Sequence, residues 1–375
     1  MKLSHTYLLV SVSQKEEDDR RRRLMLKKLL IIQRLRGMIR YNNYITKNCL
    51  VDQEWIYWDS FYLKATDEEM IAYTGFSHDG FKCLAQEFSE HYVVNFGTRK
   101  GGRPSRITKK DTVLAMLLHF YSDTATQKSI CLAFSIPPST QSRTMRRAEF
   151  ALHETLRQMK QAKIWWPSPE EMTRWAALVE AYEPLLKNVM GFIDGKNLRV
   201  QKPTNSDLQN AMYNGWLHAT LITGVLCFGV DGTIMWGRHN CPGSWNDSEM
   251  STGSREKLTC VRKTPLQMMA VLSDSAFPVS GDMQGRILTP LKDGEIFKVH
   301  NTARHGALVM SNAIVGTRQA AEWGMGAVEK PFQRLKMCLP FDPVLRGVRL
   351  NNMFKLYNFR VRTTGISQIK NVFKA

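Results

Sequence analysis

The chain has no Cys-x-x-Cys pair. Its seven cysteines, Cys49, Cys83, Cys131, Cys227, Cys241, Cys260 and Cys338, are odd in number and widely scattered. That spacing excludes a readable disulfide framework or zinc cluster and fits free, buried thiols in a reducing compartment. No stretch approaches the roughly 20 uncharged apolar residues that a membrane span needs, so a soluble protein without a membrane partner is expected. The apolar run Tyr7–Val10 leads into charges and lacks a small-residue cleavage site, unlike a signal peptide. Acidic residues are scarce: 34 Asp and Glu face 52 Lys and Arg, a formal charge of +18. Such an excess calls for a polyanion, nucleic acid first and a membrane surface second. Disorder is excluded by a composition that is 43% hydrophobic and 10% aromatic.

Across 375 residues the texture changes twice. Residues 1–52 form a basic N-terminal extension. Within it Glu16–Asp19 are followed by Arg20–Arg23 and by leucines interleaved with Lys and Arg, a pattern for an amphipathic basic helix. An import signal, a DNA-contacting arm and a solvated helix all fit it. Residues 53–188 read as helical, with runs opening at Asp67-Glu68-Glu69-Met70, over Thr108–Ser122 and over Glu170–Met190. Residues 99–106 are a Gly/Pro-broken basic loop. Its Gly-Arg-Pro core, with Arg103, is similar to an AT-hook that enters a narrow minor groove, and a basic linker is the plainer alternative. Between 123 and 148 a helix over Gln127–Phe134, a turn at Ser135-Ile136-Pro137-Pro138 and a helix over Ser139–Ala148 have helix-turn-helix order. Ile130 and Phe134 would pack on Met145, leaving Gln141, Ser142, Arg143 and Arg146 on an exposed face suited to phosphates and base edges.

After Val189 short β-rich runs separated by Gly, Pro and Asn mark an α/β domain over residues 189–375. Asp194 closes the apolar run Val189–Ile193, and Asp274 closes Met268–Ser273 in the same way. An acid at the edge of a buried strand is costly unless a cation or donors compensate it, although Asp-Gly is also a common turn. A hairpin around Asp231-Gly232 and a helix starting near Ser244 or Asn246 lie between the two acids. The order is β-β-β-α-β, in which the first and fourth strands can be adjacent and parallel. Glu322 sits in a run of helix formers, from which it could reach the two aspartates; Glu329, Asp293 and Glu295 are other choices for a third acid. A cluster of this kind suits Mg²⁺ or Mn²⁺. Asp247 either supports such a site from behind or satisfies the dipole of its own helix.

The phrases Phe192-Ile193-Asp194-Gly195, Gln209–Trp216, Pro242–Ser248, Asp274-Ser275-Ala276-Phe277-Pro278 and Arg318–Met325 together resemble the PIF/Harbinger superfamily of DDE transposases. The nearest flavour is the fungal and oomycete-type group, and Gly365–Ile369 also resembles its end. This resemblance implies an RNase H-like core, a mixed sheet flanked by helices, preceded by an all-α helix-turn-helix region. It implies Asp194, Asp274 and Glu322 as the catalytic and metal-binding triad, two metal ions, DNA as substrate, a nuclear location and a Myb-like helper protein; a homo-oligomer is also compatible. Two departures stand out: Asn246-Asp247-Ser248 replaces the usual His-Asp-Ser, and residues 326–331 diverge. The expected activity is metal-dependent DNA cutting and joining. A domesticated, catalytically silent DNA-binding protein is the alternative, ahead of a hydrolase of small phosphates, which needs neither a helix-turn-helix nor a large positive charge.

Overall fold

Helix-capping residues punctuate the first half of the chain. In the computed structural model, which describes residues 2–43, 45, 47–94, 105–265 and 268–374, the helices there are α1 (Lys2–Asn43), α2 (Tyr57–Lys64), α3 (Asp67–Thr74), α4 (His78–His91), α5 (Lys110–Ser122), α6 (Gln127–Ala133), α7 (Pro138–Gln158) and α8 (Pro169–Tyr182). Thr66 and Glu69 form a capping box at the start of α3, as Ser168 and Glu171 do for α8. Each box satisfies backbone donors that a helix start leaves open. The third helical run was expected to reach Met190 but stops at Tyr182. Glu183 is extended because the following Pro184 disfavours helical backbone in the residue before it.

The strands and later helices are β1 (Val189–Arg199), α9 (Ser206–Met212), β2 (Tyr213–Asn214), β3 (Ala219–Gly229), β4 (Ile234–Pro242), α10 (Asp247–Met250), α11 (Thr252–Thr259), β5 (Ala270–Leu272), β6 (Ile287–Leu288), α12 (Arg304–Glu329), α13 (Pro343–Thr364) and α14 (Gln368–Val372). β3 begins at Ala219, and Trp216 before it is 91% exposed. Two compact units are distinguished: residues 1–57 with 126–143, and residues 58–125 with 144–375. Within the larger unit α8 packs on β1.

In the smaller unit, α6 and the start of α7 are joined by a tight turn. Thr126 caps α6, Ser135 takes a positive φ of 50°, and the Ile136 amide donates to the Cys131 carbonyl at 2.9 Å. Gln53 Nε2 donates to the carbonyls of Phe134 and Ser135 at 3.1 and 3.0 Å, tying the turn to the segment before α2. Side chains of α1 between Gln14 and Met38 are exposed.

The larger unit holds the mixed sheet. β4, β3, β1, β5 and β6 are neighbours in that order, with β2 also on β3. The β4–β3 and β3–β1 pairs are antiparallel, and the β1–β5 and β5–β6 pairs are parallel. The expected parallel contact between the first and fourth long strands is therefore present, in an arrangement consistent with an RNase H-like core. Burial of Val189, Met190, Phe192 and Ile193 holds β1 at the centre of the sheet. α12 lies close against the sheet because Gly324 has no side chain: a Cβ there would meet the Phe228 ring at 2.8 Å. Of the cysteines, Cys131, Cys227 and Cys241 are buried, but Cys49, Cys83 and Cys338 are exposed, which corrects the expectation that the thiols are generally buried.

A polar cluster fastens α7 to α13. The carboxylate of Glu149, 1% exposed, accepts from Arg349 Nε at 2.6 Å and Nη2 at 3.2 Å, and Tyr121 Oη donates to it at 3.2 Å. Asn352 Nδ2 donates to the Glu149 carbonyl at 2.8 Å. Removing one member of such a pair leaves a buried charge uncompensated, at a cost of about 3–5 kcal/mol. Glu149→Ala is accordingly expected to lower the urea-unfolding free energy by about that amount. A loss below about 1 kcal/mol, in the range of an exposed pair, would show that the cluster does not hold the helices together.

Candidate active site

The parallel pairing of β1 and β5 places Phe192 opposite Leu272. Two residues further along each strand direction stand Asp194 and Asp274, so the two carboxylates are level: Asp274 just past the end of β5, and Asp194 within β1, which runs on to Arg199 and so does not end at its acid as the apolar run implied. Each is locally fixed: Asp194 Oδ1 accepts from the Gly195 amide at 2.8 Å, and Asp274 Oδ1 from the Ala276 amide at 3.0 Å. Burial raises the Asp194 carboxyl from its ordinary 3.8 to about 6. The Gly195 hydrogen bond opposes that rise, the negative charge of Asp274 adds to it, the Arg318 guanidinium opposes it, and Asp247 adds a further push. The site is thus a group of mutually repelling acids with one cation against it.

Asp247 belongs to this group more closely than its position at a helix start implied. Burial raises its pKa, and the charge of Asp274 raises it further. It approaches β1 because residue 195 is glycine: a Cβ there would come within 2.7 Å of Asp247 Oδ1. Asn246, which departs from the usual His, is the N-cap of α10 and accepts from the Glu249 amide at 2.8 Å. The departure therefore has a local structural use, since Asn is among the best N-caps.

Glu322 stands differently. Its side chain is 57% exposed and forms an ion pair with Arg318, Nη2 to Oε1 3.4 Å, one helical turn away on α12. The charges acting on Asp194 include Arg318 but not Glu322. Arg318 is the residue that sequence reasoning missed; the available signal was its i,i+4 spacing to Glu322. Of the other acids considered for the third place, Glu329 pairs with Lys196 at 2.6 Å. Glu295 accepts from the Lys292 amide in a local turn, and Asp293 is exposed beside it.

All-oxygen carboxylate donors at a half-buried sheet end fit a hard divalent cation by their chemistry. Among the described residues, no group of three or more His, Cys, Asp or Glu side chains is spaced to hold a metal ion as it stands. The donors fit the ion in kind, while Glu322 is held apart by Arg318.

The expected DNA-contacting residues have separate fates. Arg103 lies outside the described residues. Gln141, expected on an outward face, is 4% exposed, and its Oε1 accepts from Gln127 Nε2 at 3.0 Å. Its amide is consumed in joining α6 to α7, so it is not presented to a ligand. Arg143 and Arg146 are both exposed, and Arg143 Nε donates to the Ser139 carbonyl at 3.1 Å.

Residues 193–354 match the family model of the DDE superfamily endonucleases. That segment contains Asp194, Asp247, Asp274, Arg318 and Glu322. No curated protein and no solved structure matches the chain.

The raised pKa of Asp194 has a definite sign. Its proton is held more tightly in the folded chain than in the unfolded one, so stability from this group falls as pH rises from about 4 through 6. In the presence of a chelator, Asp194→Asn should remove that fall and be more stable than wild type at pH 7 by on the order of 2 kcal/mol. The two proteins should differ far less at pH 4. Urea unfolding at both pH values reads this out, and equal pH dependence in the two proteins would contradict the assigned environment.

Proposed function

We propose that the chain is a divalent-metal-dependent DNA endonuclease and strand transferase of the PIF/Harbinger transposase type. The observation that carries the reading is the level placement of Asp194, within β1, and Asp274, just past the end of the adjacent parallel strand β5, inside the segment that matches the DDE superfamily endonucleases. Asp194 and Asp274 would hold Mg²⁺ or Mn²⁺, with Glu322 as third ligand in the triad; two ions are proposed. When bound, the metal supplies positive charge that makes a water or a 3′-hydroxyl nucleophilic near neutral pH and offsets charge on the leaving oxygen.

The chain's own residues have distinct parts in this reading. Asp194 must lose its proton to accept a cation, which occurs near pH 6 in the metal-free site. Asp247, beside Gly195, adds negative charge that draws a cation toward the sheet end. Arg318 holds Glu322 by an ion pair, and Glu322 must exchange that partner to join the aspartates. DNA would be held by the α6–α7 pair acting as a helix-turn-helix, through Arg143 and Arg146, with Arg103 in the preceding basic loop. Element-end DNA, a nuclear location, a Myb-like helper protein and a homo-oligomer complete the proposal on the strength of the PIF/Harbinger resemblance.

A second reading is a domesticated DNA-binding protein that no longer cuts. The exposed position of Glu322 and its pairing with Arg318 favour it. Cleavage of element-end DNA with and without Mg²⁺ separates the two. Under the first reading Asp194→Asn and Asp274→Asn abolish cutting, a loss of at least about 10³-fold, and leave binding intact. Glu322→Gln should do the same if it is the third ligand; if Asp247→Asn is lethal to cutting and Glu322→Gln is not, the third place belongs to Asp247. Metal-independent cutting sinks the mechanism, and binding without any cutting selects the silent protein.

Binding itself has a separate test. Arg143→Ala with Arg146→Ala should weaken duplex binding and reduce the slope of log affinity against log salt by about 2, one unit for each lost phosphate contact. Unchanged affinity and slope in the folded double mutant would remove the helix-turn-helix assignment.

A further inference from the structure

A second feature of the larger unit lies away from the carboxylates. A groove of about 620 Å³ is lined by Trp165, Trp166 and Trp236 together with Lys257, Arg262 and Lys263, and among the described residues no carboxylate lines it.

Local structure explains how the rings are presented. The Arg362 guanidinium lies 3.9 Å from the centroid of the Trp165 ring and is itself fixed by donating to the carbonyls of Gln161 and Lys163 at 2.7 and 2.8 Å. One face of Trp165 is thus backed by a cation, yet the residue remains 40% exposed. Trp166 Nε1 donates to Thr264 Oγ1 at 3.3 Å, and Lys257 Nζ stands 5.7 Å from its ring centroid. Gly253 leaves room for Trp236, since a Cβ there would come within 3.2 Å of its ring. The nearby acid Glu171 is occupied by the capping box of α8.

Strand register sets this groove apart from Asp194. Trp236 pairs with Cys227, and Cys227 pairs with Ile193. Because successive strand residues point to opposite faces, Trp236 and Asp194 belong to opposite faces of the sheet.

We propose that this groove binds single-stranded nucleic acid, with a base stacked on the open face of Trp165 and phosphates held by Lys257, Arg262 and Lys263. Aromatic platforms beside cations suit unpaired bases, which offer a free ring face and a charged backbone together. A duplex keeps its base faces stacked inside, and an acidic peptide would use the cations but not the indoles. The proposal does not depend on the nuclease reading, because none of these residues is a carboxylate ligand.

The test is titration of the full chain, in EDTA, with a fluorescein-labelled dT12, followed by anisotropy and by tryptophan quenching. Binding with quenching is expected. Trp165→Ala should weaken it about tenfold or more, while Trp165→Phe keeps most of it. Arg262→Glu with Lys263→Glu should also weaken it about tenfold or more at low salt, with circular dichroism confirming that each variant is folded. An abasic deoxyribose-phosphate oligomer of the same length should compete at least tenfold less well than dT12. The proposal is overturned if Trp165→Ala binds dT12 like wild type, if the abasic oligomer competes equally, or if poly-glutamate displaces dT12 as effectively as unlabelled dT12 does. Cleavage of duplex DNA is a separate readout, so loss of this proposal leaves the carboxylate reading standing, and the reverse also holds.

Discussion

The parallel pairing of β1 with β5 is the constraint on which the rest of the candidate site depends. It joins strands separated by the short strand β2, a hairpin and three short helices, and it brings Asp194 level with Asp274. Asp194 holds its proton more tightly there, chiefly because it is buried and further because Asp274 and Asp247 add negative charge beside it. This stored repulsion is what a hard cation would relieve.

Two glycines extend that constraint to the other elements. Gly195 admits Asp247 to the edge of β1, and Gly324 lets α12 settle on the ring of Phe228. Close packing of α12 then sets Arg318 within electrostatic reach of Asp194 while Glu322, one turn later, stays in solvent beside Arg318. A single guanidinium therefore acts on two acids, Asp194 and Glu322.

The two faces of the sheet have different chemistry. Asp194 lies on one, and Trp236 lies on the other, among indoles and cations. A single alternating strand pattern therefore separates the Asp194 carboxylate from the indole groove.

Much of this was legible in the residues. Apolar runs before Asp194 and Asp274 predicted two strands, although β1 runs on past its acid to Arg199, and their order with the intervening hairpin and helix predicted the parallel contact. Both follow from local pattern and from the rule that parallel strands need a crossover. Helix starts at Asp67 and near Asn246 were legible for the same reason, because caps act over three or four residues. Tertiary structure alone decided which acids meet. Helical periodicity could not say that Gln141 would face inward, bonded to Gln127, or that Arg318 would hold Glu322 outward; those outcomes depend on which face of a helix its neighbours cover. Nor could it say that Gly195 exists to admit Asp247, since the clash it avoids comes from a residue 52 positions away in the chain. Pattern along the chain determines elements, but distances between side chains far apart in sequence are set only when the sheet and its helices pack.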